Sequence, residues 1–292
     1  MDINEVFTQY NIPIAPASHE HTRYGWVQLD CPFCSRGSER YRLGYNLTFN
    51  YCNCWNCGHH SIISVLVDLL GISFAKAKHI LKDVIPEKLP DDIKTTGKLQ
   101  LPYHSQTLLP QHKDYLKSRG YRPKDIMQLW QIKAIGAAPR LSWRILIPIH
   151  KHGQVVSWTT RTISKRSDIK RYYSASPVEE SYPHKKLLYG ADYARHAVAV
   201  VEGPTDVWAG GPGFVGTFGL SLTNEQIVAI ASYPVRAVCF DNTPAAQRAA
   251  KKLVGLLSTL PGTTYHITLD SDDLGDAGFY KEIKIIREKI LK

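Results

Sequence analysis

Five of the six cysteines in this chain of 292 residues crowd into one short stretch: Cys31, Cys34, Cys52, Cys54 and Cys57. They read CPFC and, after a gap, CNCWNC, so Cys31/Cys34 and Cys54/Cys57 each form a C-x2-C pair. Such a pair bends into a knuckle presenting two thiolates, and two knuckles complete a tetrahedral site for structural Zn2+. An odd number of cysteines crowded at one end suits disulfides poorly, and no export signal precedes them. Cys52 is then spare. Spacing alone leaves open a site in which Cys52, His59 or His60 replaces one ligand, because zinc is held both by cysteine alone and by cysteine with histidine.

A second chemistry is written in carboxylates. Three apolar runs, Ala197–Val201, Val235–Phe240 and Thr264–Leu269, read as strands, and Glu202, Asp241 and Asp270 follow them at once. Asp206 adds another acid four residues after Glu202, across Gly203-Pro204-Thr205. Helical patterns over Thr223–Ala231 and Ala245–Leu257 alternate with the strands, which predicts a parallel sheet. Ligands of such sheets bind beyond the carboxyl ends of the strands, where these acids lie. Gathered carboxylates repel one another unless a cation sits among them, and hard oxygen donors select Mg2+ or Mn2+. The plainer reading is that each acid caps the next helix. It serves well for one acid and less well for three strand ends. Cys239, within the middle run, reads as a buried apolar side chain.

The net charge of +10 is unevenly spread. Residues 1–90 balance eight basic against eight acidic side chains, and residues 196–292 hold nine against ten. Residues 91–195 hold nineteen basic and eight acidic, so the middle third carries the whole excess. Arg161, Lys165, Arg166, Lys170, Arg171, Lys185 and Lys186 fall there among Tyr172, Tyr173 and Tyr182. Cations interleaved with aromatics suit a groove that neutralises phosphates and stacks bases, so nucleic acid is the expected polyanion.

The elements that must hold these groups can be read in outline. Between the knuckles, Tyr41–Gly44 and Leu47–Cys52 alternate as two short strands of a zinc ribbon. Its Tyr45, Phe49, Tyr51 and Trp55 either stack on unpaired bases or fill a core too small to stand without metal. Ile62, Val65, Leu66, Leu69 and Leu70 mark an amphipathic helix ending at Gly71, and Phe74–Leu81 a second. Four prolines and no apolar period between Pro86 and Pro110 read as a linker. Then come short helices over His112–Arg119 and Pro123–Trp130, and a hairpin of Arg144–Ile149 with Val155–Arg161. With 43% hydrophobic and 21% charged residues the chain is globular, not disordered. No apolar run nears the roughly 18 residues of a membrane span, so membrane and secreted classes are set aside.

These blocks, in this order, resemble the DnaG-type DNA primases. The head matches the CPFH…CFGCG pattern of that family, with Cys34 in place of His. YLKSRGY (115–121), RILIPIHKHGQVVSWTTR (144–161), RYYSASP (171–177) and HKKLLYG (184–190) match its basic polymerase subdomain. VVEGPTDVWA (200–209), GTFGLSLTNEQ (216–226) and CFDNTPAAQRAAKK (239–252) match its TOPRIM core. The layout is similar to the compact stand-alone primases of tailed bacteriophages, with no helicase-type domain expected after the single helix Ala277–Leu291.

The resemblance implies an α/β chain, α+β overall. Its parts would be a zinc ribbon (1–85), a linker (86–110), a basic subdomain (111–195) and a parallel-sheet TOPRIM domain (196–292). It implies primer synthesis on single-stranded DNA from ribonucleoside triphosphates in the bacterial cytoplasm, with a replicative helicase as partner and no membrane. Glu202, Asp206 and Asp241 would be catalytic. Glu202, Asp241, Asp270, Asp272, Asp273 and Asp276 would be the ligands available to Mg2+ or Mn2+. Arg144, Arg161, Arg171 and Lys185 would bind template or nucleotide phosphates. One departure stands out: the Asp-x-Asp pair of the family appears here as Asp241-Asn242-Thr243. That motivates a DNA-binding factor without turnover as one competing reading; a nuclease, which would share the acid cluster, is the other.

Overall fold

The computed structural model describes residues 2–22, 25–47, 50–82, 84, 97–268 and 280–291. The chain divides into two compact units, Met1–Lys94 and Thr95–Lys292.

In the first unit, α1 (Ile3–Gln9) is opened by a reciprocal cap: Asp2 accepts from Glu5 N–H while Glu5 accepts from Asp2 N–H. Four short strands follow, β1 (Trp26–Leu29), β2 (Leu43–Asn46), β3 (Cys52–Cys54) and β4 (Gly58–His60), paired antiparallel in chain order. Two strands are expected here, at Tyr41–Gly44 and Leu47–Cys52; the pairing segments lie about two residues further on. The reason is local. Tyr41 and Asn50 have left-handed backbones, φ 44° and 54°, so neither can extend a strand. Asn50 N–H bonds back to the Asn46 carbonyl and closes the hairpin instead. Helix α2 (Ile62–Leu70) starts at Ser61, whose hydroxyl accepts from Ser64 N–H, and stops at Gly71 with φ 62°. With α3 (Phe74–Leu81) it buries Ile62, Val65, Leu66, Ala77 and Leu81 in a core that includes Tyr45 and the buried cysteines.

In the second unit, α4 (Pro110–Ser118) and α5 (Pro123–Trp130) each carry proline in the first turn, where its missing N–H has no helical partner to lose. The strands β5 (Lys133–Ile135), β6 (Arg144–Lys151), β7 (Gln154–Thr162) and β8 (Tyr172–Ser174) form an antiparallel sheet in chain order. Residues 97–109, the later part of the stretch read as linker, contain no helix or strand yet are fastened to this sheet. Trp158 Nε1 donates to the Gln100 carbonyl at 2.8 Å, and Ser105 bridges to Ala134.

The remaining elements are β9 (Ala197–Val201), α6 (Pro204–Gly210), β10 (Phe214–Gly216), α7 (Asn224–Ala231), β11 (Val235–Val238), α8 (Pro244–Leu257), β12 (Thr263–His266) and α9 (Tyr280–Lys289). Their four strands make an all-parallel sheet in the order β10-β9-β11-β12. β9 reads Ala-Val-Ala-Val-Val and is buried on both faces, as a central parallel strand must be. One apolar core, including Ile145, Ile147, Ala199, Val201 and Trp208, is common to both sheets. A second, built on Val198, Val200, Phe240 and Leu253, lies on the other face of the parallel sheet. β11 and β12 are shorter than expected, and Leu269 and Asp270 lie outside the described residues. Cys239 is fully buried, as expected of an apolar packing residue.

Arg236 is wholly buried in β11, and its guanidinium serves helix ends. Nη1 donates to Ala231 O, at the end of α7, at 3.0 Å, and Nη2 to Leu257 O and Leu260 O, at and beyond the end of α8. A cation there satisfies carbonyls that the helices leave unpaired. Arg236→Met keeps the volume but strands those carbonyls, and is expected to lower the unfolding free energy by about 2–4 kcal/mol. Urea unfolding of the full chain measures it; a loss below about 1 kcal/mol would mean the carbonyls find other partners.

Candidate active site and metal centre

In the first unit the four knuckle cysteines converge. The sulfurs of Cys31, Cys34, Cys54 and Cys57 all lie within 4.8 Å of one another, with Cys31–Cys57 at 3.4 Å and Cys34–Cys54 at 3.6 Å. A tetrahedron with Zn–S bonds of about 2.3 Å has edges of about 3.8 Å, so the cluster has the dimensions of a zinc site. Without a metal the charge is shared unevenly: hydrogen bonds from Cys31 and Cys57 lower the Cys54 thiol, and the same contacts raise Cys31 and Cys57. Four thiolates this close coexist only around a cation. Cys52 is buried in β3 outside the cluster. His60 stands behind it: Nε2 is 3.0 Å from Cys57 Sγ, and the ring stacks on Phe33. Asp30, unremarked in the sequence, holds the knuckle loop by accepting from the N–H groups of Glu39, Arg40 and Tyr41. Two of those residues have left-handed backbones, which explains why the loop needs such an anchor.

In the second unit, a cavity of about 360 Å3 lies between the antiparallel sheet and the carboxyl ends of the parallel strands. Its wall brings together Arg161, Arg171 and Lys185 with Glu202, Asp206 and Asp241. Glu202 follows β9 directly, and its Oε1 accepts from the Asp241 backbone N–H at 3.1 Å. Asp206 is 6% exposed in the first turn of α6, and its Oδ2 accepts from Gly203 N–H at 2.8 Å. Arg161, on β7, lies over the Tyr172 ring at 4.9 Å and donates from Nε to Tyr115 Oη at 3.1 Å. Burial opposes its charge, but the Tyr172 and Tyr115 hydroxyls more than offset this and leave its pKa above the ordinary arginine value. Lys185 is lowered by burial, and its ammonium donates to the Phe218 carbonyl.

Arg144 is not part of the wall. It is 6% exposed behind it, donating to the carbonyls of Lys170 at 2.6 Å and Arg171 at 3.5 Å. Burial lowers its pKa. It props the strand edge from which Arg171 reaches the cavity. Asp270, Asp272, Asp273 and Asp276 lie outside the described residues. Among the described residues, the four-cysteine cluster alone brings three or more metal-ligating side chains within coordinating distance. Glu202 and Asp241 nonetheless suit a hard cation, because Mg2+ takes one or two carboxylates and completes its shell with water and substrate phosphates. Thr243, where the family pattern has its second acid, caps α8: its hydroxyl accepts from Ala246 N–H at 3.3 Å.

Several wall residues carry no signal in the sequence strong enough to single them out. Thr159, Ser174 and Thr205 add hydroxyls, and Phe218 adds an aromatic ring. Phe218 is held with φ at 59°, a strained conformation for a bulky residue, by Lys185 on its carbonyl and the Thr217–Gly219 turn. Strain of this kind clusters at functional sites.

No protein-family model matches the chain. The DNA primase of Thermotoga maritima is 25% identical over 86% of this chain and 52% of its own length. The DNA primase of Synechococcus elongatus is 32% identical over 43% of this chain and 20% of its own length. Among solved structures, the zinc-binding and RNA polymerase domains of the Aquifex aeolicus primase superpose with a TM-score of 0.53 at 17% identity. That match covers 99% of this chain and 80% of the other. The chain is similar to bacterial DNA primases. It spans about half the length of the Thermotoga primase. The fold shared with the Aquifex primase includes the cysteine-bearing head and the mixed α/β core, as the sequence blocks imply. No helix among the described residues is long and apolar enough to cross a membrane.

The zinc centre makes a direct prediction. Metal analysis of the purified chain should give about one zinc per molecule, retained in Cys52→Ala and lost in Cys57→Ala. Zinc lost from Cys52→Ala but kept by Cys57→Ala would reassign the ligands.

Proposed function

We propose that this chain is a primase core: it joins ribonucleotides into short RNA primers on a single-stranded DNA template in the bacterial cytoplasm. What carries the reading is the single cavity in which three cations face three carboxylates. Nucleotidyl transfer needs both. The triphosphate must be neutralised, and the attacking 3′-hydroxyl must be held in line with the α-phosphate.

In this reading Arg161, Arg171 and Lys185 bind phosphates of template or incoming nucleotide. Glu202 and Asp241 hold Mg2+ or Mn2+, which when bound supplies positive charge to the triphosphate and acidifies the hydroxyl. Asp270, Asp272, Asp273 and Asp276 are further candidates for that set. The zinc head, residues 1–85, selects the initiation site and is joined by the 86–110 segment to a basic subdomain (111–195) and a TOPRIM domain (196–292). A replicative helicase would supply the single strand. The resemblance of the sequence blocks to phage primases supports a setting in the cytoplasm of an infected bacterium.

Thr243 motivates a competing reading, a DNA-binding factor without turnover, since one fewer carboxylate weakens cation binding. The experiment compares wild type and Glu202→Gln on mixed-sequence single-stranded DNA with labelled ribonucleotides and Mg2+ or Mn2+. Wild type is expected to make short RNA products. Glu202→Gln should lose at least about 100-fold in rate while binding DNA within about twofold of wild type. Products from Glu202→Gln at the wild-type rate would sink the assignment. Silence of both proteins with either metal, despite DNA binding, would favour the factor without turnover.

A further inference from the structure

Both carboxylate oxygens of Asp206 accept hydrogen bonds from its own turn. Oδ2 accepts from Gly203 N–H at 2.8 Å and Oδ1 from the Thr205 hydroxyl at 3.4 Å. Thr205 is itself 5% exposed, and its hydroxyl lies 3.0 Å from Tyr172 Oη. Burial raises Tyr172, so its hydroxyl stays protonated near neutral pH and can donate. The hydrogens then run one way, Tyr172 to Thr205 to Asp206, towards the negative end. A buried chain with that polarity is strengthened along its length. The Thr205 carbonyl is fixed as well, accepting from Tyr121 Oη at 3.0 Å. At the far end, the face of the Tyr172 ring carries Arg161, which Tyr115 holds from the other side.

The geometry assigns Asp206 as a positioning residue, which ties the Glu202–Gly203 turn through Thr205 and Tyr172 to the phosphate-binding cation Arg161, and not as a ligand of the catalytic cation. The assignment rests on the proposed reading of the cavity as a nucleotidyl-transfer site. In that reading the cation is met by Glu202 and Asp241, which follow the adjacent strands β9 and β11.

The two roles predict opposite signs in one measurement. A fluorescent ATP analogue is titrated in EDTA, so that only the protein's own cations hold its phosphates. If Asp206 were simply a metal ligand, Asp206→Asn would remove a negative charge beside the triphosphate and binding would tighten or stay unchanged. As a positioning residue it loosens Arg161, and binding weakens by about fivefold. Tyr172→Phe, which keeps the ring and loses the hydroxyl, should weaken it similarly. The double variant should be no worse than either single one, because all three break the same chain. Thr205→Val tests the middle joint should Asp206→Asn not fold. Mn2+ titration of the same proteins gives a second readout, with Asp241→Asn losing more affinity than Asp206→Asn.

Metal-free binding tightened or unaltered in Asp206→Asn, or additive losses in the double variant, would overturn the assignment. So would wild type that fails to bind the analogue without metal. A wild type that makes no primers would instead overturn the primase reading, and the titration would still report on the chain of hydroxyls.

Discussion

Parallel pairing of β9 with β11 sets Val200 opposite Val238, and the rest of the cavity follows from that register. Two residues beyond Val200 the chain reaches Glu202, and three beyond Val238 it reaches Asp241. The carboxylate of one meets the backbone N–H of the other. A slip of one residue would turn Glu202 to the opposite face of the sheet. Burial of both faces of β9 makes such a slip expensive, so the acids are placed by the apolar core and not by their own interactions. Of the cations, Arg161 lies on β7, Arg171 directly precedes β8 and Lys185 sits in the short 3-10 turn His184–Lys186, and a common core joins the two sheets.

Charge is arranged by depth. Arg236 and Arg144 are sunk in the protein and spend their donors on backbone carbonyls, where they secure helix ends and a strand edge. Arg161, Arg171 and Lys185 line the cavity that the carboxylates also line. Burial works against the charge of both groups. The deep arginines tolerate it because carbonyl oxygens surround them. In the cavity, Arg161 is offset by the hydroxyls of Tyr172 and Tyr115, and Lys185 donates to the Phe218 carbonyl.

Much of this was legible in the sequence, and the gaps have physical causes. The two C-x2-C pairs made the zinc cluster legible because each knuckle presents two thiolates, whereas the choice of Cys31, Cys34, Cys54 and Cys57 over Cys52, His59 or His60 is a tertiary fact; β9 is apolar throughout because it is central. The ribbon strands lie further along the chain than their alternation suggests because Tyr41 and Asn50 adopt left-handed backbones, which residue type alone does not announce. Arg144 carries the same charge as Arg161 in the same hairpin, and only burial separates a prop from a wall residue. Strand β10, three residues long, is too short to give a period. Tyr172 was visible among the basic residues, but its place between Arg161 and Thr205 depends on pairing β8 to β7, a tertiary fact.

The cap on α8 bears on how this chain could change. Threonine and aspartate both serve well at a helix N-terminus, and aspartate is the better of the two. Position 243 is therefore a place where the fold is indifferent and the chemistry is not. An aspartate there would keep the helix and add a negative charge two residues from Asp241. The missing acid lies one substitution away from a neutral scaffold, so the number of carboxylates near the cavity can drift without the sheet or its helices registering the difference.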